Sequence, residues 1–242
     1  MTGRVEPAAG GGGLARATDD QLLDAFASRT AHALGTGVGV AGGYATLLRE
    51  RHGAQLDADG VEVLSALESG LGRLRLFVDD LLELSGVGGR ALRCERVDAG
   101  AVVAAVARDL GEPLHAASVA VEIGSLPPVV ADPALLERAF HHLLRSAAAA
   151  IGRGPGRISV TGVRHDAGVR LEVSDDGSPL PAASAEALFE PFGPPRGAGA
   201  LVGAGVSMAI CRRIAERHGG SVSARGGERR GATVAVVLPE AA

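Results

Sequence analysis

The sequence contains no lysine and no tryptophan, so all 24 basic residues are arginine. Aromatic residues make up only 2%, against a hydrophobic fraction of 46%, so a core is available but must be aliphatic. The missing lysine accompanies abundant alanine and glycine and reads as a bias of composition. It leaves arginine or backbone amides to make any anion contact that lysine would otherwise supply. Cysteine is scarce too. Cys94 and Cys211 lie far apart without CxxC spacing, which suits a reducing compartment better than a disulfide. No apolar run approaches the roughly 20 residues of a membrane helix, and residues 1–18 lack the hydrophobic core of a secretion signal. A net charge of −4 with pI near 6 argues against a nucleic-acid-binding surface. The expectation is a cytoplasmic chain with no membrane insertion and no sensor or transmembrane domain of its own.

What is present falls into three parts. Residues 1–18, rich in Gly and Ala, predict a flexible tail. From Asp19 to about Glu50, Leu23, Phe26, Thr30, Ala33, Gly37, Ala41, Tyr44 and Leu48 recur at helical spacing, and Asp19 and Asp20 suit a helix start. After a turn at Gly53, Leu64, Leu67, Leu71, Leu74, Val78 and Leu81 form a heptad seam on a second helix, about Asp57 to Leu84. Two helices alone cannot bury seams on both. Pairing two hairpins into a four-helix bundle can, so residues 19–89 predict a homodimer. Gly86, Gly88 and Gly89 mark a linker. Residues 90–242 then read as mixed α/β. Helices are expected at Ala99–Leu110, from Asp132-Pro133 to Ile151, and at Ser207–His218. Strands are expected at Val119–Ile123, Val129–Ala131, Arg157–Arg164, Val169–Ser174, Ser221–Arg225 and Thr233–Leu238.

The chemistry centres first on His32, in the stretch Phe26 to Leu34 (FASRTAHAL) of the first helix. A neutral imidazole is a fair phosphoryl acceptor near neutral pH. Residues 19–89 resemble the dimerisation and phosphoacceptor domain of sensor histidine kinases. The resemblance implies that His32 accepts phosphate and that Thr36, one turn on, positions water for dephosphorylating a partner. A helix hydroxyl bonded back to its own backbone is the alternative for Thr36. The chain departs from the family in placing Ala33 after the histidine, where an acid is usual, and Gly37 where a proline bends the helix.

The second half resembles the ATP-binding domain shared by histidine kinases and gyrase, which implies an α/β two-layer sandwich. Leu136 to Ala147 (LERAFHHLLRSA) sits where that family has its asparagine box. Val173-Ser174-Asp175-Asp176-Gly177 matches the strand end that holds adenine. Leu188 to Phe192 matches the phenylalanine motif before the lid, and Gly203-Ala204-Gly205-Val206 the turn opening a phosphate-facing helix. The resemblance thus assigns nucleotide contact to Asp175, Gly177, Gly203, Gly205, Thr233, His142 and Ser146, with Ser146 as the magnesium candidate. His142 and Ser146 replace the box's two asparagines, Ala149 and Ala150 its following basic residue, Pro179 a glycine after the adenine acid, and Ser207 a glycine of the phosphate turn. ATP and Mg²⁺ are the implied cofactors, and a response regulator, a second copy and possibly a separate sensor protein the implied partners. Three functions remain open: a phosphorelay histidine kinase acting through His32, an ATP-independent phosphotransferase or regulator phosphatase using His32 or Thr36, and a pseudokinase scaffold.

Overall fold

The computed structural model describes residues 11–87, 91–111, 114, 118–152, 154–165, 168–193, 204–227 and 230–240, with side chains from residue 28 onward. Helix α1 (Gly11–His52) and helix α2 (Ala58–Gly86) form a long hairpin joined by a 3-10 turn at Gly53–Gln55. Helix α1 thus begins eight residues before the expected start at Asp19 and takes in part of the expected tail. Asp57 caps α2 by accepting the Gly60 amide at 2.8 Å, satisfying one of the orphan donors of a helix start. Ala31 and Ala45 on α1 and Leu64 and Val78 on α2 are buried. At the loop end the Arg49 guanidinium spans Glu68, with nitrogen–oxygen distances of 2.6–2.9 Å, and also reaches Ser65.

The heptad seam of α2 divides. Leu64 and Val78 turn inward, whereas Leu67 and Leu74 stay 49% and 44% exposed. On α1, Tyr44 and Leu48 are likewise exposed. The apolar stripe is therefore wider than the contact between two helices can cover.

Beyond residue 90, strand β1 (Glu95–Val97) pairs antiparallel with β3 (Val129–Ala131). The main sheet contains β2 (Val119–Ile123), β4 (Gly156–His165), β5 (Gly168–Asp175), β6 (Ser221–Gly226) and β7 (Ala232–Leu238), in the order β2-β4-β5-β7-β6. Among the described residues, only the β2–β4 pair is parallel. Helices α3 (Ala99–Asp109), α4 (Pro133–Ile151) and α5 (Ala204–Arg217) form the second layer. Asp98 and Asp132 cap α3 and α4, each accepting two amides of the first turn. Val103, Val106, Phe140 and Leu144 from the helices meet Ile158, Val160, Leu171 and Val234 of the sheet in one aliphatic core. This is the expected hairpin followed by a two-layer α/β sandwich. Strand β1 was not anticipated, and the linker glycines Gly88 and Gly89 lie outside the described residues.

Candidate functional site

His32 sits on the exposed side of α1, beside a groove of about 500 Å³ between the two hairpin helices. Gly35, Thr36, Arg75 and Asp79 also line this groove. The Thr36 hydroxyl donates to the His32 carbonyl at 3.1 Å, so its proton is held by the helix backbone. Gly35 lets the helices close here, since a Cβ at this position would stand 3.2 Å from Val78 Cγ1.

A second polar cluster forms where the C-terminal half of α2 lies against α4 and α5. Asp80, 3% exposed, is held from both. Arg145 Nη2 on α4 donates to its two carboxylate oxygens at 2.6 and 2.5 Å, and the Ser207 hydroxyl on α5 donates to Oδ2 at 2.9 Å. The same Arg145 nitrogen donates to Ser207 Oγ at 3.0 Å, closing a triangle of charge-assisted bonds. One turn along α2, Glu83 Oε1 stands 3.1 Å from His142 Nε2 and 2.8 Å from Arg138 Nε. Burial opposes the charged form of Glu83, but its hydrogen bonding to His142 and the nearby Arg138 outweigh it and hold the carboxyl below its usual range. Neighbouring His141 is pushed below the usual imidazole range by burial and by the charge of Arg145.

Apolar contacts surround these charges. Phe77, Leu81 and Leu84 of α2 pack against a buried cluster formed by Leu135, Ala139, Val206, Ile210 and Ile214. The Phe77 ring also meets Phe192 at a centroid separation of 6.1 Å. Phe192 is held at φ 65°, a conformation a bulky residue rarely adopts, and its amide donates to the Gly205 carbonyl at 2.6 Å. A Cβ on Gly205 would stand 2.9 Å from the Phe192 backbone, so glycine is required for this approach.

The remaining candidates lie at the end of β5, on β7 and along α4. Asp175 ends β5 and accepts the Gly177 amide at 3.0 Å. Gly177 presses on the last turn of α4, where a Cβ would stand 2.5 Å from the Ala150 backbone, so its glycine serves this packing whatever else it does. The register separates Thr233 from Asp175. Asp175 lies opposite Ala232, while Thr233 lies opposite Ser174 and shares a 2.8 Å hydroxyl contact with it. Successive strand residues face opposite sides, so Thr233 shares its face of the sheet with Ser174. Ser146 is half-buried on α4 and offers one neutral oxygen, while His142, 2% exposed, is turned to Glu83. A nitrogen already facing a carboxylate and a lone hydroxyl do not fit Mg²⁺, which prefers several hard oxygens in octahedral geometry. Gly203 lies outside the described residues. Burial pushes the Cys211 thiol well above its usual range, which removes it as a nucleophile.

Residues 131–242 match the model of the histidine kinase-, DNA gyrase B- and HSP90-like ATPase family. Over 220 residues the chain is 28% identical to the sensor histidine kinase ZraS of Escherichia coli K12, covering 90% of this chain and 45% of ZraS. It is 24% identical over 217 residues to the phytochrome-like protein Cph1 of Synechocystis, covering 90% of this chain and 29% of that protein. The crystal structure of histidine kinase ThkA in complex with the response regulator TrrA has the same fold. It matches with a TM-score of 0.65 at 22% identity, over 93% of this chain and 64% of that one. Residues 131–242 belong to that ATPase family, and over nine-tenths of its length the chain is similar to sensor histidine kinases. The chain spans less than half the length of these two curated relatives. Among the described residues, no helix is long and apolar enough to cross a membrane.

The sequence motifs name His142 and Asp175 as candidates but not Asp80, Glu83, Arg138 or Arg145. The available signal was an acidic pair, Asp79-Asp80, inside an otherwise apolar helix end. Nothing local to it names Arg145 as the partner, 65 positions away.

Proposed function

We propose that this chain works in a two-component phosphorelay, with His32 taking a phosphoryl group and handing it to an aspartate of a response-regulator receiver domain. The observation that carries this reading is an exposed imidazole on a helical hairpin that is docked, in the same chain, on a histidine-kinase-type ATPase domain. Formation of the phosphorus–nitrogen bond breaks a phosphoanhydride of the donor, and the imidazole proton leaves to a neighbouring base. Transfer to the regulator then breaks the phosphorus–nitrogen bond and forms an aspartyl phosphate. The chain's contribution is to present His32 in the groove walled by Arg75 and Asp79 and to bring the ATPase domain to it.

Nucleotide binding is proposed at Asp175 and Gly177 on the base side and at the Gly203–Gly205 turn on the phosphate side. No step is routed through a metal ion, because the donors at His142 and Ser146 do not suit one. That misfit favours a second reading, in which His32 or Thr36 serves an ATP-independent phosphotransferase or regulator phosphatase. The apolar stripe left open on the hairpin supports assembly with a second copy, and the likeness to ThkA, solved with its regulator, supports a receiver domain as partner.

The deciding experiment is incubation with radiolabelled Mg-ATP of the wild type beside His32→Ala and Asp175→Ala. Acid-labile label on the wild type and on neither variant supports the kinase. An unlabelled, folded wild type sinks it and shifts the test to phosphotransfer from a phosphorylated regulator.

A further inference from the structure

The Asp80 carboxylate is an anion buried at an unusual address. Its partners are Arg145, one residue before Ser146 on α4, and Ser207, in the first turn of α5. The start of α5 is the element proposed above for nucleotide phosphate, and α4 carries the nucleotide-contact candidates His142 and Ser146. A carboxylate and a phosphate oxygen make the same demands on a guanidinium and a hydroxyl: negative charge, short oxygen–nitrogen distances and exclusion of water. The adjacent acid Asp79 is exposed and faces the His32 groove, so only one of the pair is committed to the domain contact.

We infer that Arg145 and Ser207 form an anion site which Asp80 fills while the hairpin is docked, so that a nucleotide phosphate can enter only by displacing Asp80. The titratable and charged groups around the site are Glu83 of α2, Arg138, His141 and His142 of α4, and Arg145 itself. Asp80 is therefore an internal competitor, and docking of α2 and phosphate binding exclude each other. The identity of the displacing anion as nucleotide rests on the function proposed above, whereas the anion site itself does not.

The protein loses no covalent step in this exchange; the carboxylate leaves and the phosphate takes its bonds. The apparent affinity of the site for phosphate is then lowered by the fraction of molecules in which Asp80 occupies it. Two probes separate the claims: ATP, and pyrophosphate, which lacks adenine, each without added metal. Their binding to the full chain is measured by calorimetry for the wild type, Asp80→Asn, Arg145→Gln and the double variant. Asp80→Asn is expected to tighten both probes by about tenfold, and Arg145→Gln to remove that gain.

If Asp80→Asn is folded by circular dichroism yet binds neither probe more tightly, the inference is overturned. A gain for pyrophosphate with no further advantage for ATP upholds the anion site and overturns the adenine assignment at Asp175. Absence of binding by every variant overturns both. Should Asp80→Asn fail to fold, hydrogen exchange on the wild type decides the matter. Saturating pyrophosphate is expected to speed exchange at the amides of residues 80–87, and unchanged exchange would reject the competition.

Discussion

At the scale of residues, the domain contact turns on charges that have left water. Arg145→Ala would strand the Asp80 carboxylate at 3% exposure, and removing one partner of a buried pair costs about 3 kcal/mol or more. The expected result is a clear fall in the urea midpoint. The double replacement Asp80→Asn with Arg145→Gln should fall by less than the sum of the single effects, because it strands no charge.

Glu83 supplies a pH dependence. Its folded pKa lies below the unfolded value, so between the two the unfolded chain binds more protons and stability rises with pH. The contribution is fully present at neutral pH and is lost on acidification through and below the ordinary carboxylate range. Urea titrations of the wild type and Glu83→Gln should therefore differ at neutral pH and converge towards acid. A gap that stays constant through that range would show that Glu83 contributes no charge. His32 and Asp175 could be named as candidates from the sequence because their motifs are local. The Asp80–Arg145 pair could not, because docking of two segments distant in sequence creates it.

At the scale of elements, glycine use separates needed close approach from dispensable looseness. A Cβ at Gly37 would meet nothing within 4 Å. Gly37→Ala should therefore stabilise the hairpin by about 1 kcal/mol, seen as a higher melting temperature. Gly177→Ala should do the opposite and cost about 1–3 kcal/mol, because its methyl would stand 2.5 Å from the Ala150 backbone. Hydrophobic periodicity placed α2, α3 and α4 within a residue or two of their observed ends, since long amphipathic segments carry their own signal. Cross-strand register carries no such signal. Thr233 was named from its motif alone, and only the pairing of β5 with β7 shows that it lies opposite Ser174.

At the scale of the whole molecule, the open stripe of Leu67, Leu74, Tyr44 and Leu48 calls for a second hairpin. Replacing Leu67 and Leu74 together by Glu should convert a dimer into a monomer in sedimentation equilibrium, with the C-terminal sandwich still folded. An unchanged mass would place the dimer face elsewhere.

The end of α2 ties this scale to the others. Arg213 donates to the Leu84 carbonyl at 2.8 Å and Arg217 to the Val87 carbonyl, so the helix's last acceptors are satisfied by α5 of the other domain. When the sandwich lifts away, those carbonyls lose their donors and the final turn has reason to unwind. Each residue released from the helix lengthens the strap by about 2 Å, the difference between extended and helical rise. Undocking would therefore pay out rope as it frees the domain, and its reach towards His32 grows only when the clasp has opened.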